Sequence, residues 1–433
     1  MFDPLDLREL VADELAQRRE SGYQVEALDA EVTDAVERGD AAELAAMLGR
    51  LEQTSRRPDW VYTEPTELTE IEAQQPAEDT ELAPPGTDLA DRIRGAWLGR
   101  CAGCALGKPV EGFGWNRASI RDYLRSVDAF PLADYIPVSD EAAATFTFHP
   151  TWPGSALGRM KGIPRDDDID YTILGLHILE TYGAGFSGTD VGREWLDRIP
   201  IGCTYTAERA TYRNLVDGYS GRDTALRLNP YREWIGAQIR ADIFGYVSPG
   251  DPVRAARLAW RDATLSHIAT GVYGEMWAAS LVAASLTADD AAQALRTALC
   301  VVPARSRLAE ALGHVMDLHA SGGTWDAASD YIESRWPYSW VHTVNNAAAV
   351  AAALLWAEGD FSRSIGLAVE SGLDTDSDGA TVGSVAGALY GASGIPAHWT
   401  APFGDTVHSA IRGYDGASLE DLIQRTIHSS ART

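Results

Sequence analysis

Hydrophobic positions recur at helical spacing from the start of the chain. Leu7, Leu10, Val11 and Leu15 form one stripe behind the cap-like pair Asp3-Pro4. Val25, Leu28, Val32 and Val36 form a second stripe, closed by Gly39. Asp40 and Glu43 make a capping box for a third, which carries Leu44, Met47, Leu48 and Leu51. An appendage of short amphipathic helices is therefore predicted over residues 1–60. Over residues 61–88 proline, glutamate and threonine become frequent and Pro84-Pro85-Gly86 ends the stretch, which is the composition of an acidic linker. Residues 89–433 read as one domain of Ala-, Leu- and Trp-rich runs punctuated by Gly, Pro and Asp. Alternating strand patterns are scarce, so the fold class is all-α, a compact multi-helix domain plus the N-terminal helices. The run NNAAAVAAALLWA, residues 345–357, has almost no polar face and is predicted as a buried core helix.

Two of the predicted helices carry glycine at every fourth residue. One has Gly95, Gly99, Gly103 and Gly107; the other has Gly379, Gly383, Gly387 and Gly391. That spacing puts the glycines along one face of each helix. Each glycine costs a helix about 1 kcal/mol relative to alanine, so the pattern predicts a structural return. The return expected is close backbone approach between the two bare faces.

Charge narrows the partners. The net charge is −27, and residues 1–86 hold 22 acidic against 7 basic residues. Such a surface repels duplex nucleic acid and anionic membrane, while a small anionic ligand can still be met by local cations or metals. No apolar run reaches the length of a membrane span, and MFDPLDLREL lacks the regions of a secretory signal, so a cytoplasmic location is expected. Four cysteines are too few for a disulfide framework. The pair Cys101 and Cys104 has no second CxxC or His pair beside it and is read as helix packing. Nothing in the sequence specifies an oligomeric state.

Three carboxylate groups carry the candidate chemistry. Asp166, Asp167 and Asp168 stand together before the apolar helix ILGLHILE. Adjacent acids repel, and a helix N-terminus offsets only about 0.3–1 kcal/mol per charge, whereas a divalent cation would offset far more. Asp374-Thr375-Asp376-Ser377-Asp378-Gly379 also precedes a helix and matches the opening of a calcium loop. The EF-hand reading fails because the twelfth position is Val385 rather than glutamate. What survives is a compact set of oxygen donors, Asp374, Asp376 and the Ser377 hydroxyl. Glu111, in GKPVEG, ends the first glycine-striped helix and would lie near Asp374 if the striped helices pack.

These residues resemble the ADP-ribosylglycohydrolase family, in particular its dinitrogenase reductase-activating glycohydrolase group, from about Asp91 to Trp399. GAWLGRCAGCALGKPVE is similar to the family's opening glycine-rich helix, with Cys104 where many members have Asp. Asp166-Asp167-Asp168 resembles the first metal motif, Thr-Asp-Asp, with Asp166 in the threonine position. Asp374-Thr375-Asp376-Ser377 resembles the second, Asp-Thr-Asp-Thr. The segment from Gly236 to Arg240 is similar to the family's substrate loop, and Ser266-His267 to its downstream histidine.

The resemblance implies an all-α domain with two Mg²⁺, or Mn²⁺, in a central cleft, held by Asp166, Asp167, Asp168, Asp374, Asp376 and Ser377. All-oxygen donors independently favour such hard ions over zinc. Glu111 is implied as a ligand, as the acid/base partner, or as both. Gly236, Arg240 and His267 are expected near substrate. Trp234, Tyr205 and Tyr231 are candidates to stack a base, and Arg232 or Arg240 to meet a phosphate. The implied activity is hydrolysis of an N- or O-glycosidic bond in an ADP-ribosylated, or related ribosylated, protein, nucleotide or metabolite. The same carboxylates would also suit a two-metal phosphoesterase on a nucleotide-like substrate, or a catalytically silent ADP-ribose-binding protein.

Overall fold

The two glycine-striped segments form the helices Leu89–Gly107 and Thr375–Tyr390, and they meet along their bare faces. A Cβ at Gly95, Gly99 or Gly103 would collide with the carbonyl oxygen of Gly387, Gly383 or Gly379 respectively, and the collisions are reciprocal. Backbone lies on backbone, which only glycine allows, and this is the return that the spacing required. In this computed structural model, residues 6–76 and 82–431 are described.

Around this pair lie further helices buried on every side. Ala269–Ser285 and Thr343–Trp356 expose no residue, as expected of helices that are apolar all round. The second contains the alanine-rich run read as core. Strand structure among the described residues amounts to Thr406–Val407 paired antiparallel with Ala417–Ser418. Among the described residues no helix is long and apolar enough to cross a membrane.

The N-terminal stripes form Leu7–Glu20, Asp29–Arg38 and Ala41–Glu52 around a small core of their own, including Val11, Val25, Val32 and Leu51. The Asp3-Pro4 start lies outside the described residues. The side chain of Asp6 caps the first helix, Gly39 in the left-handed conformation ends the second, and Asp40 accepts from the Glu43 N–H to cap the third. Leu10 docks this unit onto Ala207, Ala210 and Tyr231.

The stretch expected to link the two is held along the main body as far as residue 75. Thr63 N–H donates to Arg305 O at 2.9 Å, Gln75 Nε2 donates to Val301 O at 2.9 Å, and Ile71 is buried in the main core. Its polar composition reflects partners on the body as much as solvent.

Candidate metal centre

Three chain segments bring the carboxylates together. The glycine contact places the end of Leu89–Gly107 beside the start of Thr375–Tyr390, where Thr375 Oγ1 donates to Gly107 O at 2.9 Å. Glu111 follows one short turn later, after Lys108–Val110. The third segment is the start of Asp167–Tyr182, where Asp166 is the N-cap and accepts from Asp168 N at 3.1 Å. Ser377 Oγ donates to Asp168 Oδ2 at 3.1 Å, so the two aspartate motifs touch directly. The Asp374 N–H donates to Asn346 Oδ1 at 3.0 Å, and Asn346 Nδ2 reaches Trp340 O at 2.8 Å. That asparagine, a polar residue at the head of the alanine-rich helix, ties the second motif to the loop before it.

Two cations serve the cluster. Lys108 Nζ lies 2.6 Å from Glu111 Oε2 and 2.6 Å from Asp166 Oδ2, and it also contacts Asp376 Oδ2. Arg100, wholly buried, donates to Asp242 Oδ2 at 2.8 Å and to Asp168 O at 2.8 Å, and lies 3.4 Å from Asp168 Oδ1. Neither residue was singled out in the sequence. Lys108 lies three residues before Glu111 inside a motif already flagged, whereas Arg100 on a small-residue helix carried no local signal.

Acids exceed cations here, and ionisation responds accordingly. Burial and the Asp376 charge, against Lys108, push Glu111 well above the carboxylate range. Burial and neighbouring acids push Asp167 up to about 8 and raise Asp168 and Asp374 well above the carboxylate range. Burial also works against charge on Asp376, but Lys108, together with hydrogen bonds from Lys108 and Asp374, holds it below its ordinary value. Burial raises the thiol of Cys104 well above its usual range and that of Cys101 to about 12, so neither is a ready nucleophile.

A hard divalent cation fits part of this donor set. Glu111, Asp374 and Asp376 each offer a carboxylate oxygen, and the three lie within 4.8 Å of one another. Asp376 Oδ1 is buried and no fixed donor reaches it. A second group of Cys104, Asp166, Asp168 and Asp376 is equally tight. Lys108 touches both groups, through Glu111 and Asp376 in the first and through Asp166 and Asp376 in the second, whereas Arg100 meets only the second.

The cluster floors a cleft of about 600 Å³. Trp234, Gly236 and Tyr205 line it with the carboxylates. Gly236 has no room for a side chain, because a Cβ there would run into the Glu208 carboxylate. Exposed Phe113 and Trp340 add an aromatic rim, and Arg165 and His149 also face the cavity.

Arg240 does not face it. Its guanidinium is buried, lies on Glu208 at 2.5 Å and Glu275 at 3.4 Å, and contacts Asp262. With its donors taken by internal carboxylates, it has none to offer a phosphate. His267 is also buried, bonded to Ser266 Oγ at 2.7 Å, and borders a separate cavity of about 600 Å³ that contains none of the clustered aspartates. Tyr231 and Arg232 face the N-terminal unit, where Arg232 donates to Glu14 at 2.7 Å. Residues 231–240 lie on one segment, but packing turned Trp234 and Gly236 to the cleft and Tyr231, Arg232 and Arg240 away from it.

Residues 85–432 match the family described as ADP-ribosylglycohydrolase. A solved chain described as an ADP-ribosylglycohydrolase-related protein complex is similar at 20% identity, with a TM-score of 0.45, over 80% of this chain and 99% of that one. The comparison with curated proteins finds no match.

Proposed function

The chain belongs to the ADP-ribosylglycohydrolase family, and from that premise we propose that it is a metal-assisted hydrolase of ribosyl glycosidic bonds. It would cleave a C–N or C–O bond at the anomeric carbon of an ADP-ribosylated, or related ribosylated, protein, nucleotide or metabolite. The observation that carries this reading is the convergence of Glu111, Asp374 and Asp376 on the floor of a 600 Å³ cleft with an aromatic rim.

Glu111, Asp374 and Asp376 are the residues that would hold the ion, of the Mg²⁺ or Mn²⁺ class by their all-oxygen chemistry. When bound, such an ion supplies positive charge that orients and polarises sugar oxygens. The remaining work falls to the chain. Glycoside cleavage builds positive charge at the anomeric carbon, and the aspartates of the floor oppose that charge at short range in a partly dry site. Glu111 is the residue we assign to hold or move a proton at the water or leaving-group oxygen. Trp340, Phe113 and Tyr205 would stack on the base or shield the sugar from bulk water, and Arg165, held by Asp170 and the Cys203 carbonyl, would meet a diphosphate with its remaining donors.

The test is a product-resolved assay of the full chain, freed of metal and then supplied with Mg²⁺ or Mn²⁺. Substrates are ADP-ribosylated arginine and serine peptides and small ribosylated compounds. Free ADP-ribose or ribose, lost on chelation, is expected. Inorganic phosphate as the product would sink the reading in favour of a phosphoesterase, and no turnover on any substrate would leave only a binding protein.

A further inference from the structure

The chain contains two lysines among its 36 basic residues. Lys161 is exposed. The other, Lys108, is buried at the centre of the carboxylate cluster, with contacts to Glu111, Asp166 and Asp376. The distinction from arginine matters at this position. A guanidinium is a planar fork suited to one partner face, whereas an ammonium is a compact point charge with three donors that can sit among oxygens from several directions, much as a metal ion does. The three oxygens around Lys108 come from three different segments, and together they use all three of its donors.

The other partners complete the pattern. Asp168 is met by Arg100 on one oxygen and by the Ser377 hydroxyl on the other. Lys108 and Arg100 between them therefore contact Asp166, Asp168 and Asp376, the three carboxylates of the group that also includes Cys104. In the other group, Lys108 meets Glu111 through Oε2 and Asp376 through Oδ2, which leaves Asp374 untouched by the ammonium and Asp376 Oδ1 without a hydrogen bond.

We propose that Lys108 is a built-in cation occupying one of two adjacent cation seats, so that the chain binds one divalent ion, between Glu111, Asp374 and Asp376, where the resemblance to the family implied two. This inference rests on the reading above that the cluster takes a divalent ion. The one ion can use Asp374 and the Asp376 oxygen that the ammonium leaves free, whereas a second would have to displace the ammonium from its carboxylates. The lysine cannot be removed by a chelator, so the positive charge in its seat would be permanent.

The experiment counts ions. Full-length protein, stripped of metal, is titrated with Mn²⁺ and read by electron paramagnetic resonance and calorimetry. Wild type should bind one Mn²⁺ per chain with the spectrum of an isolated ion. Lys108→Met should bind two, with a spin-coupled spectrum. A wild type that takes two ions, or a folded Lys108→Met that takes no more than wild type, overturns the proposal while leaving a glycohydrolase assay free to succeed. If Lys108→Met does not fold, nitrogen-15 lysine labelling of the wild type decides. With only two lysines, the Lys108 ammonium resonance is assigned by comparison with Lys161→Arg. Its persistence at saturating Mg²⁺ supports a fixed cation, and its loss to solvent exchange overturns it.

Discussion

Two groups of buried charge share the 229–236 segment and behave in opposite ways. On the side of the N-terminal unit, Arg18, Arg232 and Arg307 pair with Glu14, Glu64 and Glu233, and beside them Glu20 accepts from the Ser339 N–H. Thr270 donates to Glu233 Oε2 beside Arg307, and Ser21 and Gln17 donate to Oε1, at 2.5–2.9 Å. Burial opposes charge on Glu14 and Glu233, yet the arginines outweigh it and hold both below the ordinary range. On the cleft side, Glu111, Asp166, Asp167, Asp168, Asp374 and Asp376 share Lys108 and part of Arg100, and four of the six are pushed upward. Asp378, one turn below, is buried with neither oxygen hydrogen-bonded. A charge-matched interior group holds a structure together, whereas an unmatched one waits for a ligand or for a charge that forms during reaction.

The largest effect expected from that contrast is on turnover. Glu111→Gln should lower the hydrolytic rate by about 10²–10⁴-fold, the usual contribution of a positioned acid or base, with the helical fold unchanged by circular dichroism. Asp374→Asn should also abolish turnover, yet raise the melting temperature of the metal-free protein near neutral pH, because it removes a carboxyl that must take up a proton to be buried among these acids. A lower melting temperature for Asp374→Asn would place that residue in the matched class and break the comparison.

Next comes the matched group. Arg307→Met leaves Glu64 and Glu233 buried without their shared guanidinium, and should cost about 3–5 kcal/mol in denaturant unfolding. An uncharged control follows. Gly103→Leu forces a side chain into the backbone of Gly379 and should cost about 1–3 kcal/mol or more by overpacking, with no dependence on added metal.

The smallest effect is a pH dependence of the N-terminal docking. Burial raises Asp13 from 3.8 to about 6, against a hydrogen bond from Tyr231, and Glu20 from 4.5 to about 7, against one from Ser339 N–H. A carboxyl whose folded pKa exceeds its unfolded one binds protons on docking, so docking weakens as pH rises. The loss starts near the ordinary values around 4 and is complete just above 7. Amide exchange in Leu7–Glu20, corrected for intrinsic rate, should therefore be faster at pH 8 than at pH 5.

Legibility in the sequence followed the range of the interactions. Helix caps such as Asp40 and Gly39 act within a turn, and the four-residue glycine rhythm announced a bare face before any partner was known. The acidic turns at 166–168 and 374–377 were readable for the same reason, since like charges crowded at a helix start demand a counter-ion wherever the helix goes. Asn346 could have been noticed as a polar residue heading an alanine run.

The remainder depended on which distant segments came to face each other. Arg240 and Arg232 look in sequence like equal candidates for a phosphate, but each is enclosed by carboxylates from other parts of the chain. Lys108 looks like one more polar residue after a glycine until three helical segments close around it. Local spacing therefore determined the all-α fold, the glycine-faced helix pair and the presence of an anionic site. Only the tertiary structure decided which charges are matched. That is because a Coulomb partner is set by distance in space and by the dryness of its surroundings, and both arise when the helices pack.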